Sequence, residues 1–244
     1  MNSALKRNLI VLLTVAVVLI LPLAAQATTA FFDLGTPNTA LSNFSGPYAT
    51  ITITGGATDT VAGPVSFEVV GLTGTYNPTN TPVQYLLGGN DIFGIMGLTI
   101  TAVTDYSQTG MTGFSAPSFS YPGAGNVDGF GSGNDPFTST IRNFDGFSNA
   151  VLSFSFDVSQ TFDDAAAALA FLQTNVNTKG FFAAAHIFPT ITEGGINRAN
   201  GVLTATGYAG DGSQGVLVPV PPTAWLMGFG LLGLGLLGWR RKNG

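Results

Sequence analysis

Through most of the chain from Tyr48 to Val158, apolar and polar residues alternate with a period of two. Ala49, Ile51 and Ile53 alternate with threonines. Val65, Phe67 and Val69 alternate with Ser66 and Glu68. Leu98, Ile100 and Ala102 repeat the pattern, as do Leu152, Phe154, Phe156 and Val158. Successive side chains of a strand point to opposite faces, so each run predicts a half-buried strand with β-branched and aromatic residues inward. Gly55-Gly56, Asn77-Pro78, Gly88-Gly89-Asn90 and Asp211-Gly212 separate the runs as turn signals. Many short strands bounded by turns predict two packed antiparallel sheets, a β-sandwich.

One stretch changes period. From Thr161 to Val176, Phe162, Ala165, Leu169, Leu172 and Val176 recur at helical spacing. This predicts a single amphipathic helix over about 161–175, packed on a sheet edge or one end of the sandwich. Thr161 is the expected N-cap, Asp163 and Asp164 suit the positive end of the helix dipole, and Asn177 to Gly180 ends the element. A local repeat, Asn126-Val-Asp-Gly-Phe-Gly131 and Asn143-Phe-Asp-Gly-Phe-Ser148, places two Asp-Gly turns around Phe137–Arg142. The expectation there is a three-stranded meander.

The two ends follow neither pattern. Lys6 and Arg7, the apolar run Leu9 to Leu23 and then Ala25-Gln26-Ala27 have the order of a secretory signal peptide, with Ala25 and Ala27 at −3 and −1 of the cleavage site. Signal peptidase is then a partner. At the other end, Thr223 to Trp239 is seventeen uncharged residues, followed by Arg240, Arg241 and Lys242. At ~1.5 Å per residue this reaches about 26 Å, near the thickness of a hydrocarbon core. A C-terminal transmembrane helix is expected there, with Trp225 and Trp239 near its boundaries and the basic triplet on the cytoplasmic side. The chain therefore divides into 1–27 (signal peptide), 28–217 (exported domain) and 218–244 (tail: 218–222 motif, 223–239 span, 240–242 basic end).

Removing the ends changes the charge. Only Arg142, Lys179 and Arg198 remain against thirteen Asp and Glu, a net −10 compared with −5 for the whole chain. That field repels phosphate backbones and argues against a nucleic-acid partner. The chain has no cysteine, which excludes thiolate metal sites and thiol chemistry.

Candidate chemistry is sparse. His186 is the one histidine, and its expected role is a strand residue with a satisfied ring nitrogen, since no second histidine or thiol could complete a site. Gly146-Phe-Ser148-Asn-Ala150 approaches a nucleophile elbow, but the element expected after the serine is a strand, where that motif requires a helix. Asn126, Asp128, Ser132, Asn134 and Asp135 could offer oxygens to Ca²⁺, yet the twelfth position from Asp128 is Ser139, so the loop is incomplete. No cofactor is expected, and turn chemistry is the expected role of that stretch. Tyr106, Tyr121, Phe130 and Phe147, near loops, are the aromatics that a sugar-binding module would expose.

The segment Val218-Pro219-Val-Pro221-Pro222, followed by Trp225, the apolar run and Arg240-Arg241-Lys242, resembles the PEP-CTERM sorting signal of Gram-negative bacteria, with Val220 in place of its glutamate. The resemblance covers about 27 residues. It implies recognition by an exosortase, transient residence in the inner membrane and transfer towards the exopolysaccharide layer. The repeat and Ala183–Phe188 also resemble stretches of exported PEP-CTERM domains, which carry no activity over to this chain. The expectation is a structural or interaction protein of the cell surface or extracellular matrix, and not an enzyme; the alternative is a carbohydrate-binding β-sandwich.

Overall fold

A computed structural model of the chain describes residues 29–56, 62–131, 136–144, 146–191, 195–202 and 205–212. Among the described residues the strands are β1 (Ala30–Pro37), β2 (Ala49–Gly55), β3 (Gly63–Gly71), β4 (Thr73–Tyr76), β5 (Thr81–Leu87), β6 (Phe93–Ile95), β7 (Ile100–Ser107), β8 (Met111–Thr112), β9 (Phe119–Gly125), β10 (Phe137–Asn143), β11 (Ser153–Phe162), β12 (Ala183–Ile191), β13 (Ile196–Asn197) and β14 (Gly207–Asp211), and there is one α-helix, α1 (Ala165–Thr174).

The alternating runs are strands, as expected, but they do not form a sandwich. Twelve strands make one sheet, ten of them in the order β7-β11-β3-β2-β1-β14-β12-β6-β10-β9, with β4 and β5 as a flap on β12. The sheet curls until its end strands lie side by side. Across that seam the Val103 amide donates to the Tyr121 hydroxyl at 3.2 Å, and Tyr106 meets Phe119 with ring centroids 6.0 Å apart. The result is a nearly closed barrel with one interior. A period of two specifies which face is buried, and that face is the same whether a sheet packs on a partner or on itself.

The interior is filled. Phe67 and Phe156 stack with centroids 4.9 Å apart and planes 7° from parallel, and Phe93 leans on Phe156 at 5.4 Å. Phe32, Ile51, Val69, Phe154 and Ile187 complete a single buried cluster. One barrel end is closed by α1, whose Ala165, Ala168, Leu169 and Leu172 join that cluster and lie over β1, β2 and β11. The other is closed by Tyr48 and Tyr85, which donate to the carbonyls of Phe44 (2.9 Å) and Ser45 (2.5 Å). Burial, with the neighbouring Tyr48, pushes the Tyr85 phenol up to about 12, so it remains a donor.

The helix starts later than its periodicity predicts. Thr161 and Phe162 pair with Pro64 and Gly63 at the end of β11, so their backbone groups are satisfied in the ladder. Asp164 is the cap instead, its carboxylate accepting from the Ala167 amide at 2.7 Å. Val176 lies past the end and is exposed. Asp164→Ala is expected to cost about 1 kcal/mol, measured by urea denaturation, whereas Thr161→Ala changes little.

The meander is also corrected. Strand β10 pairs with β9 on one side, but its other neighbour is β6, and β11 lies between β3 and β7. The transmembrane expectation is corrected as well: among the described residues no helix is long and apolar enough to cross a membrane. Residues 223–239, on which the span was expected, lie outside the described residues.

Candidate functional site

The outer wall of β6, β12 and β14 is built from small residues. Gly94, Ala184 and Gly210 leave a shallow floor on which Val127, Phe130 and Phe137 pack. A Cβ at Gly94 would come within 2.7–2.8 Å of Val127 and Phe137, so only glycine admits them there. This explains the sequence repeat. Each copy turns at an Asp-Gly glycine with positive φ, 87° at Gly129 and 57° at Gly146, and sends a phenylalanine onto the wall. Phe130 meets Phe181 edge-on at 4.7 Å, and Phe147 packs on Phe188 at 5.5 Å.

Between these two anchors His186 and Tyr208 meet, with Asp128, Asp91 and Arg142 near them. His186 and Tyr208 are directly opposed on β12 and β14, and their rings stack at 4.3 Å with planes 13° apart. Phe188 covers His186 at 4.5 Å. Gly89, with φ +89°, presses against Nδ1, and a Cβ there would sit 2.2 Å from that nitrogen. The expected satisfied histidine is not found. Nδ1 and Nε2 are both buried with no hydrogen bond of acceptable geometry, although the Gly88 backbone favours the protonated ring. Burial dominates and lowers the imidazole to about 4, outweighing Gly88 and the Asp128 carboxylate. Burial also raises the Tyr208 phenol, helped by Asp128 and Asp91.

At the margin, Arg142 donates from Nε to Asp91 at 3.0 Å, and both side chains are partly exposed. Lys179 donates to the Gly129 carbonyl at 3.1 Å, clamping the first Asp-Gly turn. The Asn177 amide donates to the Phe130 carbonyl at 2.6 Å beside it. A neutral imidazole held between aromatic rings can donate or accept one hydrogen bond. It is poorly suited to proton transfer near neutrality, because its pKa lies far below that range.

Ser148 lies on a short 3₁₀ turn ahead of β11, and its hydroxyl accepts from Arg198 at 2.7 Å, so no strand–turn–helix elbow forms. Asn126 and Asp128 are exposed beside the first turn; Ser132, Asn134 and Asp135 lie outside the described residues. No group of three possible metal-ligating side chains occurs among the described residues. Of the four loop aromatics, Tyr106 and Tyr121 are exposed at the barrel seam, whereas Phe130 and Phe147 are packed on the wall and do not join them. Asp211, expected as a turn residue, ends β14; its buried carboxylate accepts from the amides of Phe182 and Ala183 at 2.9 and 3.0 Å. Ala25, Ala27, Val218, Pro219, Pro221, Pro222, Trp225, Arg240, Arg241 and Lys242 lie outside the described residues.

The Tyr208–His186 stack escaped the sequence reading because its two halves are twenty-two positions apart and meet only through strand register. The one available signal was a histidine placed two residues before a phenylalanine, after a run of three alanines. Comparison with protein-family models, with curated proteins and with solved structures gives no match.

Proposed function

We propose that this chain is a non-catalytic, exported structural or interaction protein of the bacterial surface or exopolysaccharide layer, processed by signal peptidase and recognised by an exosortase through Val218–Lys242. The observation that carries the non-catalytic part is the filled barrel. Small barrels that hold ligands keep an interior cavity, whereas here stacked phenylalanines occupy the axis and α1 and the two tyrosines close the ends. Any partner therefore meets the outer wall. The tail supports the sorting part: Pro219, Pro221 and Pro222 favour an extended backbone, which a protease can bind.

Intact-mass analysis of the surface fraction is expected to find a C-terminus upstream of Trp225. Pro219→Ala with Pro221→Ala is expected to leave the tail attached. A surface form that retains Trp239 and Lys242 overturns the sorting reading.

A further inference from the structure

One half of the barrel wall has a composition that the sequence disperses and the register gathers. On β1, β2, β3, β11 and β7, the residues alternating with the core point outward and form rows across the strands. One row runs Phe31, Thr52, Glu68, Ser155, Asp105, each directly opposite the next. On one side of it lies Asp33, Thr50, Val70, Ser153, Ser107; on the other, Thr54, Ser66, Asp157. At about 4.8 Å per strand the middle row spans roughly 19 Å, with the Glu68 and Asp105 positions about 10 Å apart. Hydroxyls fix two of the carboxylates: Thr50 donates to Asp33, and Ser66 to Asp157 at 2.9 Å.

These five strands carry four carboxylates and no lysine or arginine. The three cations of the region 28–217 are all elsewhere, Arg142 on β10, Lys179 against Gly129 and Arg198 against Ser148. The rest of the described barrel is acidic too, with Asp91, Asp128, Asp163, Asp164 and Asp211, but it also holds all three cations, so the wall of these five strands carries negative charge alone. A partner that fits this wall is extended, matches strand-spaced hydroxyls, and carries positive charge at intervals.

We propose that the outer wall of β1–β2–β3–β11–β7 is the docking face for an amine-bearing polysaccharide. Its ammonium groups pair with Asp33, Glu68, Asp105 and Asp157, its hydroxyls meet the Ser and Thr rows, and a sugar ring rests on the half-buried Phe31. The proposal rests on the interaction-protein reading and adds to it the face and the ligand class.

The test uses the full-length chain and partially deacetylated chitosan oligosaccharides at about pH 6, with amino groups protonated; fully N-acetylated oligomers and alginate serve as comparisons. Chitosan binding that weakens with salt is expected, with alginate unbound. Glu68→Gln with Asp157→Asn is expected to weaken binding about tenfold, and Asp128→Asn with Asp163→Asn, the same charge change off this face, less than about twofold. Asp105→Asn alone, at the barrel seam, is expected to weaken it severalfold and serves should the double variant not fold. Equal losses in the two double variants would reduce the effect to net charge and overturn the face. Alginate bound only with Ca²⁺ would replace amines by cation bridging and overturn the ligand class. No chitosan binding by a protein that still fractionates with the exopolysaccharide overturns this inference alone; absence from that layer overturns the interaction reading itself.

Discussion

Phe156→Ala is expected to destabilise the barrel by about 4 kcal/mol, within the range for emptying a buried aromatic site. Phe156 is fully buried, stacks flat on Phe67 across the β3–β11 pair and touches Phe93 from the opposite wall. Its loss removes buried area and opens a void at the point where the two sides of the curled sheet meet. Neighbouring rings cannot collapse into the void without breaking strand register, so little of the cost is recovered. Guanidinium denaturation monitored by far-UV circular dichroism measures it. Phe144→Ala, at an exposed position, is the comparison and is expected to change stability by less than about 0.5 kcal/mol. A Phe156→Ala cost below about 1 kcal/mol would mean that the barrel axis is not close-packed.

Stability is also expected to fall as the pH drops from about 6.5 to 4, with His186 responsible for about 3 kcal/mol of the loss. In the folded chain burial holds the imidazole at about 4, against 6.5 when free. The unfolded chain therefore takes up a proton first. The contribution of His186 is complete above about pH 6.5, shrinks as the pH falls towards the folded value, and is gone below about pH 4. The groups facing the ring are Tyr208 and Phe188, with the Asp128 charge acting from the first Asp-Gly turn. Asp91, paired with Arg142, lies near Tyr208. Denaturation midpoints of the wild type and His186→Leu at pH 7 and pH 4 separate this effect from carboxylate titration, which both chains share. The wild type is expected to lose about 3 kcal/mol more than the variant. Equal losses would show that the ring titrates without penalty.

The candidate site shows which information was local. The Asp-Gly turns at Gly129 and Gly146 were legible because an Asp-Gly pair carries its own backbone preference. That Phe130 and Phe147 both land on one wall, either side of His186, was not legible. For Phe130 it depends on Gly94, Ala184 and Gly210, from three different strands, lying side by side as a floor, and for Phe147 on Phe188 of β12. The N-cap shows the same limit on a smaller scale. Thr161 and Asp164 are both good caps locally, and pairing of Thr161 with Pro64, nearly a hundred residues earlier, decides between them.

By itself the sequence determined that the alternating runs within 49–53, 65–69, 100–102 and 154–158 are strands and which side of each is buried, because side-chain alternation is a property of the extended backbone and needs no partner. It determined that a helix follows the run at 154–158, the Asp-Gly turns at Gly129 and Gly146, the absence of thiol chemistry and the acidic balance of the region between its two ends. Only the tertiary structure decided that the strands form one sheet that curls onto itself, that β10 pairs with β6 and not with β11, and that four carboxylates share a wall free of basic residues. Each of those outcomes is a choice of strand neighbour. Alternation is identical for every permissible neighbour, so the choice is made by the fit of side chains across the closed interior, where Phe67, Phe93 and Phe156 meet from three strands.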